Sequence, residues 1–196
     1  MTDAARLMRL IGRSFADPRG TAQMLNAVRF NRGVLWSLLL LVICLSVLAL
    51  VMSMWAFPSA VQNPVLLLSP FGLAAILGLI LVVMVFALYF TGQMLGGQGR
   101  FPGMLLMLTW WQGMAVVLQV CQVVVLLAIP VLGAIVSLAG FVWLIVALVV
   151  AVTVAHQFDS AFKGFGTVVL ALLGTMFGLA LILTLIGVGV QGMSNV

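Results

Sequence analysis

Residues 33–57 read GVLWSLLLLVICLSVLALVMSMWAF and hold no charged residue, with Arg32 directly before the run and Pro58 directly after it. A transmembrane helix needs about 20 predominantly apolar residues, and this run exceeds that length. The condition continues along the chain: positions 33–99 carry no charge, and neither do positions 101–155. One charge at mid-bilayer costs roughly 2.5–3.5 kcal/mol on insertion scales. Charged residues make up 6% of the chain, against about 25% in soluble domains. Mean hydropathy is +1.38. The chain is therefore read as an integral membrane protein whose few charges mark where it leaves the lipid.

Glycine and proline divide the apolar sequence into five spans. They run over residues 33–57, 70–95, 103–128, 134–155 and 165–188. Between them lie the Pro58 to Pro64 loop, the Gly96-Gly97-Gln98-Gly99-Arg100-Phe101-Pro102 turn, the Pro130 and Gly133 break, and the polar stretch from His156 to Gly164. The expected fold class is all-α, a five-transmembrane-helix bundle with an N-terminal amphipathic helix. Its organisation is a basic arm over 1–32, a membrane domain over 33–190 and a short tail over 191–196. Basic residues collect in cytoplasmic loops. Arg6, Arg9, Arg13, Arg19, Arg29 and Arg32 precede the first span, and five spans bring Arg100 and Lys163 to that same side. This places the N-terminus in the cytoplasm and the C-terminus outside. The first apolar run is longer than the 7–15 residues of a signal-peptide core, so no cleavable signal is expected. Cys44 and Cys121 fall within spans and read as small buried apolar residues.

Residues 2–17 read as an amphipathic helix, with Arg6, Arg9 and Arg13 on one face and Ala4, Leu7, Ile11 and Phe15 opposite. Asp17-Pro18 ends it, because the residue before a proline is pushed out of the helical region. A basic helix of this kind suits an anionic bilayer surface. A second helix is expected to start near Thr21, with Thr21 as its cap, and to feed into the first span.

The third span is the most polar. Gln112, Gln119 and Gln122 form a stripe whose amides seek partners on neighbouring helices, at about 0.6–2 kcal/mol each; a polar lining for a solute path is the other reading. Gly174 and Gly178 form a small-xxx-small pair suited to helix packing, as do Gly92 and Gly96 at the end of the second span. His156, Asp159, Ser160 and Lys163 share a face if their segment is helical, with Asp159 ahead of Lys163 in the favourable ion-pair order. Asp159 pairs with Arg100 or Lys163, or the three point separately into water and Asp159 caps the fifth span.

The sequence contains no glutamate. That excludes the His-Glu-x-x-His metalloprotease helix. No Gly-x-Ser-x-Gly motif or phosphate-binding glycine loop occurs, and the spans lack the acids of proton-coupled carriers. One histidine and three aspartates are a poor basis for a metal site. No enzyme, cofactor or metal is expected, and positive-inside topology already accounts for the basic charge without nucleic acid.

Four segments resemble the Yip-one domain family, named for Ypt/Rab-GTPase-interacting proteins. Phe15-Ala16-Asp17-Pro18-Arg19 is similar to the Asp-Pro segment that opens bacterial members. Gly96-Gly97-Gln98-Gly99-Arg100-Phe101 resembles the family's Gly-Gly-x-Gly-x-Phe turn. Pro130-x-x-Gly133 resembles its external turn. The stretch from His156 to Lys163 resembles its cytoplasmic turn before the last span. The resemblance implies a five-helix bundle and, in eukaryotic relatives, roles in vesicle traffic through Rab GTPases and in membrane shaping. The eukaryotic Asp-Leu-Tyr-Gly-Pro signature is absent, so GTPase binding is not carried over, and the short form looks bacterial.

The functional expectation is a non-enzymatic protein of a bacterial inner membrane that organises lipid or partner proteins. Its working surface is the basic face carrying Arg6, Arg9, Arg13, Arg19, Arg100 and Lys163. Anionic lipids, a second copy of the chain or another membrane protein are the expected partners. The alternative is a passive transporter or channel for a small neutral or anionic solute. A reporter active only in the cytoplasm, fused after Val196, is expected to be silent; activity there overturns the five-span count.

Overall fold

The computed structural model describes residues 3–57 and 69–185. These residues form seven helices and, among the described residues, no strand. They are α1 (Asp3–Ala16), α2 (Pro18–Ala27), α3 (Arg32–Ala56), α4 (Pro70–Met94), α5 (Phe101–Ala128), α6 (Pro130–His156) and α7 (Ala161–Leu185). The last five are long and apolar enough to cross a membrane. The Pro58 to Pro64 loop, the end of the fifth span and the 191–196 tail lie outside the described residues.

Local chemistry sets the boundaries. Asp17 accepts a 2.8 Å bond from Gly20 N at the start of α2, with Pro18 as the first helical residue. A proline is tolerated there because that N–H has no intrahelical partner. The second helix thus begins at Pro18 and not near Thr21, whose side chain is buried. It does not run into the first span either, because residues 28–31 are non-helical. Asn31 caps α3 through Gly33 N, and Ser69 caps α4 through Gly72 N. Pro102 and Pro130 sit in the first turns of α5 and α6, so both helices start earlier than expected. The α5–α6 connection shrinks to Ile129, with Gly133 inside α6. The fifth span starts at Ala161, because Ser160 Oγ accepts from Phe162 N at 3.2 Å. Ser160, and not Asp159, is the cap. Residues 157–160 are non-helical, so His156, Asp159, Ser160 and Lys163 do not share a helix face.

The long helices close around α5, which packs on α3, α4 and α6, while α7 packs on α4 and α6. Residues 104–109 of α5 are six consecutive buried positions, since α2, α3, α4 and α6 all reach this end of it. Farther along, residues 127–132 are all exposed. Phe71 and Trp55 are exposed by 86% and 84%, as lipid-facing side chains are. Cys44 and Cys121 are free and also on the outer surface, not buried.

In lipid a polar group has no water to fall back on. Gln112 Nε2 donates to Ser46 Oγ at 3.1 Å and Gln119 Nε2 donates to Ser53 Oγ at 3.4 Å. Both pairs are seven residues apart on their helices, so the two contacts stack along the α3–α5 seam. Each serine in turn donates to its own helix, at Val42 O and Ala49 O. Gln122 lies beside Gln119 on a cavity between α5 and α6.

Of the two expected glycine pairs, Gly174 and Gly178 make no close helix approach. A Cβ on Gly174 would meet nothing within 4 Å, and one on Gly178 would make ordinary contact with Val83 at 3.7 Å. Gly164 of α7 instead lies against Thr153 and the Val149 carbonyl of α6. Gly164→Ala is expected to destabilise the protein by about 1–3 kcal/mol through overpacking. Gly174→Ala is expected to be neutral or to stabilise by about 0.5–1 kcal/mol. Thermal unfolding in detergent reads both; equal behaviour of the two variants refutes this packing account.

Candidate functional site

The helix order alternates direction, so α3 begins, α4 ends, α5 begins, α6 ends and α7 begins at one end of the bundle. The described basic residues gather at this end and on the arm beside it. Its scaffold is the His156 ring. His156 is the last residue of α6 and is 0% exposed. Three glycines face it. A Cβ on Gly92 would stand 2.3 Å from Cε1 and Nε2 of the ring, and one on Gly97 or Gly99 would stand 2.6 Å from Nδ1. Real Cβ atoms essentially never come so near another heavy atom. Gly96 has φ +83°, a left-handed conformation that favours glycine.

The backbone completes the lock. Gly97 N donates to Gly92 O at 2.8 Å and Gln98 N donates to His156 O at 3.0 Å. Gln93 Nε2 donates to Gly99 O at 3.2 Å. Phe158 stacks on the imidazole, with centroids 5.4 Å apart and planes 22° apart. Gln157 takes a left-handed conformation, φ 57° and ψ 40°, to end the helix. The Leu88 backbone is the polar group turned toward the ring, short of full hydrogen-bond geometry at either nitrogen. Among the described residues no group of His, Cys or Asp could hold a metal.

The arm is fastened to the same end. Ser14 is buried, and Trp110 Nε1 donates to its Oγ at 3.2 Å. Trp143 Nε1 donates to Phe15 O at 3.3 Å, and the Phe15 and Trp143 rings lie 4.7 Å apart. Trp111 Nε1 donates to Leu144 O at 2.8 Å and ties α5 to α6. Helix α2 lays the buried Thr21 and Ala22 against the bundle, and Asn26 Nδ2 reaches Val154 O at 3.5 Å. The apolar side of α1 thus has a protein partner at Ser14 and Phe15. Arg6, Arg9 and Arg13 are on its exposed side.

A cavity of about 510 Å³ opens where α2, the 28–31 linker, the 96–100 turn and the ends of α5 and α6 meet. Arg29, Arg100, Asn26, Gln98 and Gln157 supply its polar wall; Leu35, Leu106 and Ala155 supply its floor. A shallower cleft on the other side of Asn26 and Gln157 carries Arg19 and Gln23. Arg100, Lys163 and Asp159 are exposed, and no ion pair joins Asp159 to either of the other two. In the sequence Arg29 reads only for topology and Gln98 only as part of a turn, and Asn26 and Gln157 do not read as site residues. The signal that could have found them is the break at residues 28–31, which turns Arg29 back over the end of α5.

The sequence resemblance can now be set beside this geometry. The Yip1 domain matches residues 12–191. The chain belongs to the Yip1 domain family. No curated protein and no solved structure matches it. In this Yip1 protein the Gly-Gly-x-Gly turn serves a stated purpose: it lets backbone close over His156. The three atoms nearest a Cβ on Gly92 all belong to that ring, which makes the pair a clean test. Gly92→Ala is expected to cost about 1–3 kcal/mol of stability. In a His156→Ala background the same change should cost much less. Additive losses in the double mutant exclude the cradle as the reason for the glycine.

Proposed function

We propose that this Yip1 protein is non-enzymatic and organises membrane lipid or partner proteins through its basic end, which faces the cytoplasm of a bacterial inner membrane. The single observation that carries this reading is the built basic end. An arginine-bearing arm is docked on the bundle by Trp110 and Trp143, beside a cavity walled by Arg29 and Arg100.

Helix length supports an interfacial position for the arm. Helix α5 has 28 residues, or about 42 Å at 1.5 Å per residue, while the hydrocarbon core is about 30 Å thick. Counted from Ala128, such a core ends near Leu108. Trp110 then stands at the boundary, where tryptophans collect, and Ser14 and Phe15 lie at the same level. The first turns of α5, with the cavity, fall among the headgroups.

The transport alternative draws less support. Gln112 and Gln119 are engaged with serines of α3, which is what interhelical fastening requires and leaves little for a solute. Reconstitution separates the two readings. In vesicles containing anionic lipid the protein is expected to change vesicle size or shape, seen by electron cryomicroscopy. In the same vesicles no flux of small neutral or anionic solutes is expected. Flux without remodelling favours the transporter.

A further inference from the structure

We propose that the cavity between Arg29 and Arg100 is a binding site for the phosphate of one anionic phospholipid, whose acyl chain leaves along the α3–α5 groove. The proposal rests on the lipid-organising reading above and names its ligand and place. The cavity volume of about 510 Å³ falls within the roughly 300–1,000 Å³ of ordinary small-molecule sites. Two guanidinium groups reach it from different segments, the 28–31 linker and the 96–100 turn, and no acid lies in its lining. Guanidinium pairs well with phosphate because its planar donors can bond two oxygens together. The Gln98 and Gln157 amides add donors for phosphate or hydroxyl oxygens. Leu35 and Leu106 close the floor with apolar surface, which lowers the local dielectric and strengthens those contacts.

A second groove turns this from a phosphate site into a lipid site. Leu35 and Pro102 line the cavity and also a narrower groove of about 220 Å³ between α3 and α5. That groove is walled by Trp36, Phe101 and Leu105, with Arg32 at its rim. Trp36 is on the bundle's outer surface. A molecule with its anion between the arginines therefore has an apolar exit toward the bilayer. A soluble phosphate ester would leave that exit unused.

The site is held in shape from outside itself. Gln98 N donates to His156 O and Gln157 follows His156 directly, so the glycine cradle sets the backbone of both glutamines without lining the cavity.

The test is native mass spectrometry on the full chain in detergent, titrated with dioleoyl phosphatidylglycerol. A discrete single-lipid adduct is expected, with dioleoyl phosphatidylcholine binding more weakly. Arg29→Gln with Arg100→Gln should weaken phosphatidylglycerol binding by roughly 30-fold, at about fivefold per arginine near an anionic headgroup. Arg29→Lys with Arg100→Lys should recover part of the loss. Both arginines are exposed, and an unchanged thermal transition confirms that the variants fold. Lys163→Gln removes a charge from the same end outside this cavity. A loss per charge as large as that of the arginine variants overturns the site in favour of general attraction. Glycerol phosphate is the soluble arm: competition at the concentration where the lipid binds overturns the lipid assignment. The two readings fail separately. A selective adduct without vesicle remodelling supports the site and sinks the function proposed above. Remodelling that persists with unchanged headgroup preference in the double glutamine variant sinks the site alone.

Discussion

The His156 ring pressed among Gly92, Gly97 and Gly99 is the contact on which the basic end depends. It joins the last turn of α4, the following connection and the end of α6 through shape alone. Side chains at those three positions would hold the α4–α5 turn away from α6. Gln98 could not then reach the His156 carbonyl, and Arg100 would not stand opposite Arg29. A ring held by packing thus decides where hydrogen-bonding groups stand. Packing of this kind is rigid, since interiors are close-packed and a single added methyl is felt.

The rest of the bundle obeys a different constraint, the lack of water in lipid. Its hydroxyls bond back to their own helices, as Thr109 does to Leu105 and Thr153 to Val149. The glutamines of α5 bond to serines that are already satisfied as donors. Such ladders fix helix register more than they add stability, because interhelical bonds in membranes average only about 0.6 kcal/mol.

Much of this was legible in the sequence. Charge-free runs broken by glycine and proline give five helices without ambiguity, because the bilayer sets their length. Boundaries were less legible. Pro130 reads as a break and acts as a start, since a proline ends one helix and opens another with the same geometry. Thr21 reads as a cap, but Asp17 with Pro18 wins four residues earlier. Gln112 and Gln119 of the stripe bond across helices, with partners the sequence did not name, because Ser46 and Ser53 are unremarkable until α3 is laid beside α5. The Gly-Gly-x-Gly motif was visible as a motif only. Its reason lies across the fold at His156, which periodicity and spacing on one strand of sequence cannot join. The Arg29 side of the cavity was hidden for the same reason.

The connection between α5 and α6 has a bearing on how the chain enters the membrane. Ile129 alone separates the two helices, and both Ala128 and Pro130 beside it lack charge. A tip this small leaves no hydrophilic load for the insertion machinery to haul across the bilayer. The two helices can therefore pass in together as a closed apolar pin, already fastened by Trp111. During synthesis this pin would be the natural post against which the earlier helices, and then the arginine arm, come to rest.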